Sequence, residues 1–124
     1  YRGALVYNSS NVVNRVYVDR NVETYSNLGR LFYVQLVNQY PDPSKLPHDS
    51  PLLLKAEEYY RKAVAEATNA GQSEIAVEPA KSLAVLYSRV GQLDQSKELW
   101  LKLREWAPDD PDVKKVFSPP APKT

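Results

Sequence analysis

Few residues in this chain can do chemistry, and their spacing sets what that chemistry is. His48 is the only histidine, and there is no cysteine. No thiolate or imidazole pair is available, so a Cys–His nucleophile pair or a histidine-rich metal centre cannot be assembled within one chain. The four glycines, Gly3, Gly29, Gly71 and Gly91, are too scattered to form a phosphate-cradling loop. Glu57, Glu58 and Glu66 lie among Lys and Arg at helical spacing, which reads as a solvated helix face. Asp109, Asp110 and Asp112 sit close together but lack the spaced ligands of a calcium loop. After Pro108 they read as a helix start. The expectation is a protein that is not an enzyme, with no cofactor, no metal and no small-molecule substrate.

Composition agrees with that reading. Sixteen basic and 15 acidic residues give a net charge of +1. No basic stripe points to nucleic acid, and no apolar run approaches a membrane span. Hydrophobic residues make up 43% of the 124, enough for the core of one small domain. The chain begins at Tyr1 and contains no Met. That suggests a processed protein or a piece of a larger one, with a lean to an exported or membrane-tethered soluble domain.

Three stretches must position whatever surface this chain uses. In 79–90, Leu83, Leu86, Tyr87 and Val90 recur at three- and four-residue intervals and mark one apolar helical face. Pro79 suits the first turn of that helix, and Gly91 suits its end. A second helix is expected over 95–106, capped by Asp94, with Leu99, Trp100, Leu103 and Trp106 on its apolar side. So short a connection makes the two antiparallel, and Ala84 and Ser96 would let them approach closely. Upstream, 22–40 forms a helix with Val22, Tyr25, Leu28, Gly29, Phe32, Leu36 and Tyr40 on one face. A helix over 52–70 buries Leu53, Ala56, Tyr60, Ala63, Val64 and Ala67, and Glu57 and Glu58 precede Arg61 and Lys62 at four-residue spacing. Four prolines make 41–51 a loop. It reads first as a rigid surface connector and second as a binding element.

The remaining segments are less regular. Residues 1–21 form an N-terminal lead-in or cap. Val12, Val13, Val16 and Tyr17 fit a helical face, which is the first reading, and Val16 and Val18 also fit a short strand, which β-branched residues favour. Asn8-Ser9-Ser10 is a glycosylation sequon of a kind that is common by chance. Residues 73–78 should add a helical turn or two before Pro79, with Ser73 as a possible cap. Val113, Val116 and Phe117 should let a short helix over 111–117 cover the exposed face of the central hairpin. The tail, 118–124, is expected to be disordered.

The stretch 79–108 resembles a tetratricopeptide repeat, a helical hairpin of about 34 residues. Leu83, Ala84 and Tyr87 fill the packing positions of its first helix, and Gly91 fills the turn. Ser96, Trp100 and Leu103 fill those of the second, and Pro108 closes the unit. Ala80 departs from the family, which prefers Trp there. Tyr25, Leu28, Gly29 and Phe32, followed by Ala56, Tyr60 and Ala63, resemble a second copy. Phe32 to Ala56 spans 24 residues against 9 from Tyr87 to Ser96, an insertion of 24 − 9 = 15.

The resemblance implies an all-α fold, antiparallel hairpins stacked as a short right-handed solenoid over 22–117. It also implies a partner-binding groove lined by Ser26, Arg30, Tyr33, Lys81, Val85, Ser88 and Arg89. Tyr25, Phe32, Tyr60, Tyr87 and Trp100 would be core, while Tyr33, Tyr59 and Trp106 would be free for an interface. Some family members grip a C-terminal carboxylate with a Lys-Asn clamp. Arg30 and Val85 stand where the asparagines would be, so that activity is not implied. Two functions follow as expectations. One is a protein–protein interaction or scaffold module that takes a partner peptide or helix. The other is an accessory domain of a larger membrane-associated or exported complex, with self-association as an alternative to a protein partner.

Overall fold

The computed structural model describes the backbone of residues 2–118 and the side chains of residues 15–118. The Asn8 sequon, the side chains of Val12 and Val13, and residues 119–124 of the tail lie outside the described residues. Five α-helices follow one another: α1 (Arg2–Gln39), α2 (Pro51–Asn69), α3 (Ser73–Arg89), α4 (Leu93–Trp106) and α5 (Pro111–Phe117). No strand occurs among the described residues. Each helix packs on the next, and α1 also packs on α3.

The first helix does not stop at residue 21. It runs through 38 residues without a break, so the helical reading of the N-terminal segment holds and the alternative strand at Val16 and Val18 does not form. An isolated strand has nothing to pair with here. The β-branched valines each cost only a few tenths of a kcal/mol in a helix already propagating from 22–39.

Against α2, α1 is held by Val22, which packs with Ala63, Ala67 and Ala76, and by Leu36, which joins Leu53 in the main core. Between them Gly29 faces Tyr60. A Cβ at Gly29 would lie 2.7 Å from Tyr60 Cδ1, so the glycine admits the ring. Tyr59 stacks on Phe32, with ring centroids 5.8 Å apart and planes 2° apart, and on Tyr25 at 6.3 Å. The Lys62 ammonium lies over both tyrosine rings. Tyr59 is thus engaged within the molecule. Arg61 takes Glu57 at 3.1 Å, but Glu58 turns back to Lys55 at 3.6 Å rather than forward to Lys62.

Two glycine turns fix the next connections in the same way. Gly71 and Gly91 have φ of 72° and 82°, a left-handed conformation that a side chain would strain. Gln72 N–H reaches back to Ala67 O at 2.9 Å, and Gln92 N–H to Tyr87 O at 2.8 Å. Gly71 and Gly91 N–H close the inner bonds to Thr68 O and Ser88 O. Both are Schellman ends, which satisfy carbonyls the helix leaves open. So tight a turn starts the following helices early. α3 begins at Ser73 after Gln72, and α4 at Leu93 after Gln92, so neither Ser73 nor Asp94 caps its helix. Asp94 sits inside the first turn of α4, where its charge still favours the helix dipole.

Pro79 lies inside α3, not in its first turn. A proline there forgoes the bond to Ile75 O, at a cost of about 3 kcal/mol in an isolated helix. Burial of Ala76, Val77, Pro79 and Ala80 offsets it. On the hairpin's other helix, Ser96 Oγ donates to Ala84 O at 2.8 Å. Both residues are buried, so the two small side chains do bring α3 and α4 together.

The proline segment holds a 3-10 turn, Pro43–Lys45, capped by Asp42, whose carboxylate accepts from Ser44 N and Oγ. Arg89 Nη2 donates to Pro41 O at 3.1 Å, Leu46 packs on the core, and Ser50 is buried. The loop is therefore tied to the end of α3. Ser50 occupies the N-cap position of α2 without a side-chain cap bond, and Pro51 starts the helix.

Candidate functional site

Helices α1, α3 and α5 stand around an open groove of about 600 Å³. Its position follows from which helices touch. α3 packs on α1, and α5 folds back after α4 to lie near α3. α5 is short, so it needs anchors. Val113 is 1% exposed and fills the core, and Asp110 caps the helix by accepting from the backbone N–H of Asp112 and Val113. The acidic cluster is thus a helix start. Lys81 completes the anchor from α3, at 2.8 Å from Asp112, 3.1 Å from Asp110 and 3.3 Å from Glu78.

Lys81 is only 14% exposed along its side chain. Burial pulls its pKa down, but the hydrogen bonds with Asp112, Asp110 and Glu78 outweigh that and leave it well above an ordinary lysine. The Lys81 ammonium in turn holds the Asp110 carboxyl below the usual aspartate range against its partial desolvation, helped by the two backbone N–H donors.

Of the seven residues expected in a partner-binding groove, Arg30, Tyr33, Lys81 and Val85 line this one. Ser26, Ser88 and Arg89 do not. Arg89 instead braces the proline segment and lines a smaller hollow of about 290 Å³ with His48. Ser88 is exposed beyond the groove. Ser26 Oγ is closed off from solvent and has no hydrogen-bond partner among the described residues.

The groove also contains residues that the sequence did not single out for it. Val34 comes from α1, Ser82 from α3, and Lys115 and Val116 from α5. Val34 and Val85 are each 48% exposed, and Val116 is 47%. Val116 therefore faces the groove instead of covering the hairpin, while Phe117 packs on the core under the Arg104 guanidinium. A surface valine at helical spacing carries no signal in a sequence until its neighbours across space are known.

Aromatics divide differently from expectation. Tyr60 and Tyr87 are buried, and burial pushes the Tyr60 phenol up, opposed by the Ser82 hydroxyl and the Arg30 charge. Arg61 Nε donates to Tyr87 Oη at 2.9 Å. Tyr25, Phe32 and Trp100 are only half-buried, and Trp100 serves both the core and the groove wall. Trp106 is not free for an interface, because it packs where the two core clusters meet. Tyr33 is the one of the three expected interface aromatics that reaches the groove.

The groove's wall mixes half-exposed valines and the rings of Tyr33, Tyr60 and Trp100 with charged groups, some of them paired at Lys81. Comparison of the chain with protein-family models, with curated proteins and with solved structures finds no match in any of the three.

Proposed function

We propose that this chain is a non-catalytic interaction module of tetratricopeptide-repeat type that takes a peptide or helix of a partner protein in the groove between α1, α3 and α5. The observation that carries this reading is the apolar exposure there. Val34, Val85 and Val116, from three different helices, each leave about half of their surface open around one trough. Apolar patches gathered in this way mark binding surfaces more often than scattered ones do. The order of the elements also supports it. α1–α2 and α3–α4 form successive antiparallel pairs, and contact between α1 and α3 is what stacked hairpins require.

The test compares two exposed apolar positions. Val85→Asp alters the groove, and Leu93→Asp alters the start of α4, 64% exposed and outside it. Both variants should remain helical and monodisperse. The complex recovered with the native chain should survive Leu93→Asp and be lost with Val85→Asp. Equal loss or equal survival removes the groove from the account.

A second reading, an accessory domain of a larger assembly, is favoured by α1 itself. α1 is twice the length of α2, 38 residues against 19. Asn21 already meets Glu66 near the far end of α2, and α1 has begun 19 residues earlier, at Arg2. Val16 and Tyr17, in that stretch, are 47% and 64% exposed. If that segment mediates assembly, light scattering shows self-association that Val16→Ser with Tyr17→Ser abolishes. A monomer unchanged by the pair of substitutions rules out self-assembly through it.

A further inference from the structure

The groove's charges specify the chemistry of its occupant; this step rests on the groove reading above. Five ionisable side chains stand in the wall beside the tyrosines: Arg30, Glu78, Lys81, Asp112 and Lys115. Both carboxylates are committed to one cation. Lys81 holds Asp112 at 2.8 Å and Glu78 at 3.3 Å, with Asp110 behind them at 3.1 Å. Arg30 and Lys115 have no carboxylate within ion-pair distance among the described residues. They come from α1 and α5, on different walls of the trough. What the groove offers an incoming chain is therefore apolar surface from Val34, Val85 and Val116 with two cations beside it that no carboxylate among the described residues holds.

We propose that the occupant is a partner segment carrying carboxylate side chains next to bulky apolar ones, its apolar groups against the valines and its carboxylates at Arg30 and Lys115. Arg30 supplies a planar fork that a carboxylate can meet with two parallel hydrogen bonds. Lys115 supplies a point charge at the rim, which steers approach and adds salt dependence. A basic segment would meet like charges at Arg30 and Lys115 and would find Asp112 and Glu78 already sharing Lys81 with Asp110, and a purely apolar one would leave Arg30 without a partner as it loses water.

The probe is a library of random dodecapeptides displayed on phage and selected against the full chain. The selected peptides should combine Asp or Glu with Leu, Ile or Phe. Their affinity should fall at least roughly tenfold with Val85→Asp, and by a similar factor with Arg30→Glu and Lys115→Glu together, consistent with two charge-assisted contacts. It should also weaken as salt is raised. Circular dichroism confirms that each variant keeps its helices; Arg30→Gln with Lys115→Gln should give a smaller loss in the same direction. Peptides that depend on Val85 but are basic or uncharged, or that ignore the charge reversals, overturn the carboxylate inference and leave the groove reading standing. A selection yielding no peptide that depends on Val85 overturns both.

Discussion

Gly29 and Ser26 show how single residues set the packing of α1. Gly29→Ala adds a methyl group whose carbon would meet Tyr60 Cδ1 at 2.7 Å and Cε1 at 2.8 Å. Alanine gains about 1 kcal/mol in intrinsic helix preference, but overpacking a buried ring costs about 1–3 kcal/mol. The variant should melt below the native chain in a thermal scan. A higher melting temperature would mean that α1 and α2 are not in close contact at this point. Ser26 behaves in the opposite sense. Its hydroxyl is shielded and unpartnered among the described residues, so Ser26→Ala should stabilise by about 1 kcal/mol, measured by urea denaturation. A loss of stability would show that the hydroxyl has a partner.

The packing role of Gly29 was legible in the sequence, because a glycine amid a strong helical period needs a reason. The fate of Ser26 was not. Its place on the helix face suggested a groove, and only the position of the neighbouring helices closes it off.

Among the elements, α5 depends most on a few polar contacts. Seven residues cannot hold a helix unaided, and Val113, Asp110 and Lys81 hold this one. The pH dependence follows from the two pKa directions. Asp110 is below its ordinary value in the folded chain, so its contribution is present above the usual aspartate range and is lost as pH falls through its folded value. Lys81 is above its ordinary value, so its contribution is present below the usual lysine range and is lost as pH rises through its raised one. Docking of α5 should therefore hold across neutral pH and weaken at both extremes. Amide exchange of residues 111–117 measures it directly: Lys81→Met should speed exchange there at pH 7 and leave α2 protected. Unchanged protection in α5 would show that Val113 alone suffices.

The sequence already carried the helix start at Asp110, since an acidic residue before Pro and an apolar residue is a strong local signal. The Lys81 link joins residues 29 and 31 positions apart, and no local pattern encodes that. The same distinction accounts for Pro79 and Asp94. Each obeys a rule for helix starts, and in each case the actual boundary was set by a glycine turn upstream.

At the scale of the whole molecule, the all-α architecture and the hairpin order were readable because hydrophobic period, glycine turns and loop length agree with one another. The groove was readable only in part. Arg30, Tyr33, Lys81 and Val85 could be placed from the helix faces. Lys115 and Val116 could not, because the return of α5 onto α3 is a tertiary event. Helix was the first reading of the N-terminal segment, but its fusion with the next helix was not legible, because Val16 and Val18 also fit a strand and continuity with a well-packed helix decides the outcome.

The central claim is that the trough between α1, α3 and α5 receives another protein. A photo-activated cross-linking residue placed at position 85 in the full chain, and separately at position 93, tests it in the cell. The account predicts one discrete adduct with a different protein from position 85 and none of the same size from position 93. No adduct from position 85, an adduct only with a second copy of this chain, or the same adduct from both positions would contradict it.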